Sequence, residues 1–372
     1  MAGYALCSTS MTVLVSQVID AFRLANAQQG LMNSMIQLGS AVSVLLMPFM
    51  QGRLKKTVVF TCSIALQILS LLFIGFSGAF FTLAVACLLL GAAGGWTDGY
   101  ANALIVDIHQ ENSAKYMGML HGFYSVGAIL APVIIQGLLL LMAWRNVYLA
   151  LAGISLLVAL FFAFVARRSR ALFRASSGGE TPLKPALVLA HIKDKYNLCI
   201  MVCMLLYSAS QFGFTAWVVR YMAVRFGSES LGSLGLLLFW ICTAASRFLT
   251  PRLYMQPLKM VTIGTGLAGI LVLLGIFSGN VYLMVVASAL NGLLSGFCMP
   301  LIIHEAVGRY PGNTSLPSSI IILTSRVAMV LIPLVVGAAA VASLQLSMAL
   351  PALFSLATMG SGLLAMHVKN RG

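Results

Sequence analysis

Apolar residues in this chain come in long blocks rather than in the stripes of a soluble amphipathic helix. Thr57 to Thr97, Met260 to His304 and Val327 to Val368 contain no Asp, Glu, Lys or Arg. A helix crossing the roughly 30 Å hydrocarbon layer needs about 20 apolar residues, so each block holds two crossings. Small polar residues mark the turn inside each one: Phe76-Ser77-Gly78, Ser278-Gly279-Asn280 and the neighbourhood of Ser343. Single spans fit near 1 to 22, 28 to 50, 116 to 141, 144 to 166, 196 to 219 and 230 to 250. The pattern predicts an all-α membrane protein of twelve spans.

Composition agrees, with 60% hydrophobic residues, 8% charged and a mean hydropathy of +0.99. Lys and Arg then set the orientation, because short cytoplasmic loops carry the positive excess. Arg53, Lys55, Lys56, Lys115, Arg167, Arg168, Lys193, Lys195, Lys259 and Arg309 fall on one side with most of the other basic residues. Arg23, Arg145, Arg220 and Arg225 fall on the other. Both termini are therefore expected in the cytoplasm, and a bacterial inner membrane is the expected location. This placement accounts for the net charge of +14 without a nucleic-acid partner.

All seven cysteines lie within the expected spans at no metal-type spacing, so neither disulfides nor a metal site is expected. No basic stretch precedes the first apolar run, and residues 1 to 22 read as a retained helix rather than a cleaved signal. The longest polar stretch, Arg167 to Asn197, divides the spans six and six. The expected organisation is a bundle at 1–166, a cytoplasmic linker at 167–195 and a second bundle at 196–372. Within the linker, LKPALVLAHIKDK fits a short surface helix.

The halves repeat weakly. A shift of 197 sets Gly95 and Gly99 on Gly292 and Gly296, and laying GAILAPVI of span five on AMVLIPLV of span eleven sets Pro132 against Pro333. Duplicated bundles place a solute site between halves, near the midplane.

Asp98 sits late in the uncharged run, and an ionisable group at membrane depth usually marks an ion or solute path. Asn102 is one turn on and shares its face. Trp96 and Tyr100 share a neighbouring face, where flat rings suit a sugar's apolar surfaces. Gly91, Gly95 and Gly99 form the small-residue spacing of close helix packing. His121 lies at a depth similar to Asp98, and an imidazole beside a carboxylate can share a proton. Arg326, near the middle of span eleven, must meet an acid, carbonyls, water or an anionic solute, and is expected to face the cavity. Gln17, Asn33, Gln37, Gln211 and Asn291 are further polar groups at depth. Arg247, near the inner end of span eight, is expected to snorkel.

Several strings carry a family resemblance. FRLANAQQGLMNS (Phe22 to Ser34), Asp98 followed after three intervening residues by Asn102 in span four, and SVGAILAPVIIQ (Ser125 to Gln136), with the six-plus-six plan, resemble the major facilitator superfamily, specifically the fucose permease group of sugar and proton symporters. The resemblance implies two six-helix pseudo-repeat bundles and proton-coupled solute transport by alternating access. Asp98 and His121 are the candidate proton-coupling groups, the second from its depth alone. Asn102, Tyr124, Gln211, Asn291, Trp96, Tyr100 and Gln37 are the candidate solute contacts, and Arg326 is a candidate gate or anion site. Three regions depart from the group: Thr12 stands where span one has an acid, His121 and Tyr124 where span five has Gln and Asn, and the loop after span two is reduced to QGRLKK (Gln51 to Lys56).

No nucleophile constellation or phosphate loop is present, so an enzyme is not expected, and neither is a cofactor. The expected partners are a small polar solute, protons or sodium, and the bilayer, with the monomer as functional unit. An exporter of drugs or metabolites by proton antiport and a non-transporting scaffold or receptor are the competing classes.

Overall fold

The computed structural model describes residues 1–23, 26–50, 52–168, 185–250, 255–310 and 313–371. These residues form α-helices, with a short 3-10 helix at Gln110–Asn112. The first span is segmented into α1 (Ala2–Ser8), α2 (Ser10–Val13) and α3 (Val15–Phe22). It is followed by α4 (Asn26–Met50), α5 (Lys56–Gly75), α6 (Phe80–Ile108), α7 (Ser113–Leu139) and α8 (Trp144–Arg168). A short α9 (Pro185–Lys193) precedes α10 (Lys195–Phe226), α11 (Glu229–Leu249) and α12 (Pro257–Phe277). The tenth span is α13 (Val281–Ser295) with α14 (Cys298–Val307), and α15 (Ser315–Ala342) and α16 (Leu344–Arg371) complete the chain. Ten of these stretches are long and apolar enough to cross a membrane, Ser34–Met50 is a shorter apolar helix, and the segmented first span brings the total to twelve.

Turns fall where small polar residues predict them, between Gly75 and Phe80, between Phe277 and Val281, and at Ser343. Gly279 takes φ +67, a left-handed conformation that costs glycine little, and Asn280 Oδ1 caps α13 by accepting from the Tyr282 backbone N–H at 2.8 Å. One helix outruns its expected bounds: α10 continues to Phe226, past the expected end near 219. Helical backbone bonds continue past the first charge or serine run, whereas a count of apolar residues stops there.

Span ten breaks across Gly296 and Phe297. Pro300 has no N–H to give the Gly296 carbonyl four residues back, so that carbonyl is free to seek another donor.

Two compact units emerge. The first comprises Met1–Gln110, Phe123–Leu183 and Tyr310–Ser319; the second comprises Glu111–Gly122, Lys184–Arg309 and Ile320–Gly372. In the first, α6 packs on α4 and α5, and α5 on α8, around Leu14, Leu71, Ile74, Leu83 and Tyr148. In the second, α11 packs on α13 and α16 on α10 and α12, around Phe214, Tyr221, Phe239, Val272 and Met348.

Missing side chains allow the closest approaches. A Cβ on Gly91 would stand 1.9 Å from the Ile36 carbonyl oxygen, and one on Gly95 would meet Ser43 Oγ at 2.1 Å. In the second unit a Cβ on Gly292 would stand 2.1 Å from the Phe239 oxygen, and one on Gly296 would meet Ser246 Oγ at 2.4 Å. The equivalent pairs are thus Gly91 with Gly292 and Gly95 with Gly296, a shift of 201 positions. The sequence shift of 197 is one helical turn out, because small residues spaced four apart match equally well after sliding by a turn.

Candidate functional site

Asp98 and Asn102 lie on α6, 5% and 0% exposed. Asn102 Nδ2 donates to Asp98 Oδ1 at 3.2 Å, a bond that four-residue spacing makes local. Cross-helix bonds fix the surrounding turns. The Thr97 and Ser63 hydroxyls meet at 2.8 Å, Trp96 Nε1 donates to the Ser43 carbonyl at 2.8 Å, and Ser318 Oγ donates to the Gly99 carbonyl at 2.9 Å. Tyr100 is buried on the same helix. The carboxyl is therefore presented from a helix whose rotation these bonds restrain.

Tyr124 packs its ring on Tyr4, centroids 5.7 Å apart, with its hydroxyl 3.5 Å from Ser8 Oγ. Gln37 is half-buried on α4, and Thr12, at the position of the group's span-one acid, is exposed on α2. Gln17 is half-buried with its Oε1 buried and without a hydrogen-bond partner. The Asn33 side chain lies outside the described residues. In the second unit Gln211 and Asn291 are buried, and Asn291 Oδ1 accepts from Ser295 Oγ at 3.3 Å. His121 is buried too, and Arg326 is half-buried with Nη1 3.3 Å from Met329 Sδ. Gln37, Trp96, Asp98, Tyr100, Asn102 and Tyr124 thus belong to the first unit, and His121, Gln211, Asn291 and Arg326 to the second.

Three polar clusters were not singled out from sequence. Lys56 Nζ, at the start of α5, forms an ion pair with Asp107 near the end of α6, both side chains 5% exposed or less. Thr314 joins them, accepting from Lys56 Nζ at 2.7 Å and donating to Asp107 Oδ1 at 3.0 Å. Glu305 accepts from the Tyr196 hydroxyl and pairs with Lys369 Nζ at 2.9 Å. Arg247 does not snorkel: it is 3% exposed, with Nε donating to the Gly296 carbonyl at 2.8 Å and Nη1 to the His121 carbonyl at 3.2 Å. Carbonyls released or shared by neighbouring helices, invisible to a charge count, hold this guanidinium inside. Among the described residues no group of three or more His, Cys, Asp or Glu is placed to hold a metal ion.

Residues 1–260 match the family model of the Major Facilitator Superfamily. No curated protein sequence matches the chain. Among solved structures, the chain is similar to the Major Facilitator Superfamily transporter FucP in its outward conformation, at 17% identity and TM-score 0.79 over 98% of this chain and 97% of that one. It is likewise similar to a variant of the E. coli fucose:proton symporter FucP, at 17% identity and TM-score 0.78 over 98% and 96%. With a family model matching more than half its length and twelve apolar spans in that fold, the chain belongs to the Major Facilitator Superfamily and is an integral membrane transporter of that kind.

Proposed function

We propose that the chain is a secondary active symporter that moves a small polar, sugar-like solute together with protons by alternating access. The observation that carries this reading is the buried Asp98 with its Asn102 partner, held on a helix braced from three directions. An ionised carboxyl is costly at membrane depth, whereas its protonated form is neutral and donates a hydrogen bond. Protonation therefore changes the cost of moving the carrier between its two states. The similarity to a fucose:proton symporter supports the same coupling.

In this reading residues 1–166 and 196–372 are the two six-span halves, 167–195 is the cytoplasmic linker, and both termini lie in the cytoplasm of a bacterial inner membrane. Asn102, Trp96, Tyr100, Tyr124 and Gln37 serve the solute from the first half, and Gln211 and Asn291 from the second. His121 is a second proton-coupling group. Arg326 serves as a gate or meets an anionic group of the solute. The monomer is the working unit.

Reconstituted vesicles test the assignment. Asp98→Asn, a mimic of the protonated carrier, is expected to lose accumulation driven by a proton gradient while keeping solute binding. An Asp98→Asn carrier that still accumulates solute uphill would remove Asp98 as the sole coupling site and move that role toward His121.

A further inference from the structure

The second unit contains a fully buried cation that the transport reading leaves unused. Pro300 deprives the Gly296 carbonyl of its intrahelical donor, and Arg247 Nε supplies one at 2.8 Å from the neighbouring α11. The same guanidinium reaches the other way, with Nη1 donating to the His121 carbonyl of α7 at 3.2 Å. A carbonyl oxygen within a helix retains a lone pair for such a second bond.

The backbones are close enough for this to be the designed fit. A Cβ on Gly118 would stand 3.0 Å from the Arg247 carbonyl oxygen, and one on Gly122 would stand 2.9 Å from the Phe248 ring. The start of α7 therefore lies directly on Arg247 and Phe248, and one planar fork spans from there to the break in span ten.

We propose that Arg247 is a positioning residue that clamps the start of span five to the hinge of span ten, so that the cytoplasmic end of the carrier opens only when the guanidinium releases the His121 carbonyl. The inference rests on the transport reading and adds a residue to its machinery. The clamp grips backbone on both sides. Lysine cannot replace arginine here, because a single ammonium cannot reach both carbonyls in the plane of a fork.

Pro300 provides the means of separating a clamp from a mere cap. Pro300→Ala returns an N–H to the Gly296 carbonyl, making the Nε bond redundant while leaving the His121 bond untouched. Met117, one turn before His121, is 0% exposed and reports opening when replaced by cysteine. The test uses Met117→Cys in full-length carrier with Cys62 and Cys242, the two cysteines that are not buried, changed to serine. Inside-out vesicles are treated with a membrane-impermeant maleimide.

Arg247→Gln is expected to raise the labelling rate at least tenfold and to lower the melting temperature. Adding Pro300→Ala is expected to recover the melting temperature but not the slow labelling, and Arg247→Lys is expected to label as fast as Arg247→Gln. If Pro300→Ala restores slow labelling as well, or if Arg247→Gln never speeds it, the clamp is wrong and Arg247 only caps the hinge. Labelling is read with no solute present, so this outcome stands apart from the vesicle flux that tests transport.

Discussion

An ammonium and a carboxylate shut away together at the edge of a membrane depend on each other more than exposed charges do. Lys56 and Asp107 are such a pair, with Thr314 bonded to both. Removing one partner strands the other, a change that costs about 3–5 kcal/mol in buried pairs, whereas replacing both by apolar groups of similar volume is often nearly neutral. Asp107→Leu and Lys56→Met are therefore each expected to lower the melting temperature strongly in detergent, and the double variant to recover most of the loss. Equal additive losses would show that the pair is not coupled. Sequence placed Lys56 among the basic residues that set orientation but gave no sign of its contact with Asp107, because a pairing across 51 positions leaves no periodic trace. Asp98 with Asn102 was legible because both lie on one helix, four residues apart. The same contrast explains Arg247, which reaches backbone carbonyls of two other helices that carry no residue type to recognise.

At the scale of helices, apolar run length was enough to place the spans and their turns, and too coarse to place their ends. What it could not supply is register, which is fixed where backbones touch. Gly91 and Gly292 occupy equivalent contacts in the two units, facing the Ile36 and Phe239 carbonyls. A methyl group at either must push two helices apart, and overpacking of this kind costs about 1–3 kcal/mol. Gly91→Ala and Gly292→Ala are accordingly expected to destabilise the protein by that amount, while Gly153→Ala, where a Cβ meets open space inside a helix, should not destabilise it and should gain slightly from helix propensity. Thermal unfolding of the three variants decides the matter. Equal behaviour of Gly91 and Gly153 would contradict the close packing of α4 on α6.

For the molecule as a whole, the proposed sidedness of the loops rests on the uneven spread of Lys and Arg. A cysteine at Ser177 is expected to react with impermeant reagent from the cytoplasmic side, and one at Gly279, in the turn between α12 and α13, from the other. Reaction of both from one side would remove the twelve-span plan. The contact-defined units, meanwhile, do not coincide with the halves of the gene. Residues 111–122 fold with the second unit and 310–319 with the first, so each half of the sequence lends the other a strip. An engineer who joins the first six spans of this carrier to the last six of a relative therefore replaces more than one half. Such a chimera keeps its native contacts only if the junctions carry 310–319 with the N-terminal donor and 111–122 with the C-terminal one.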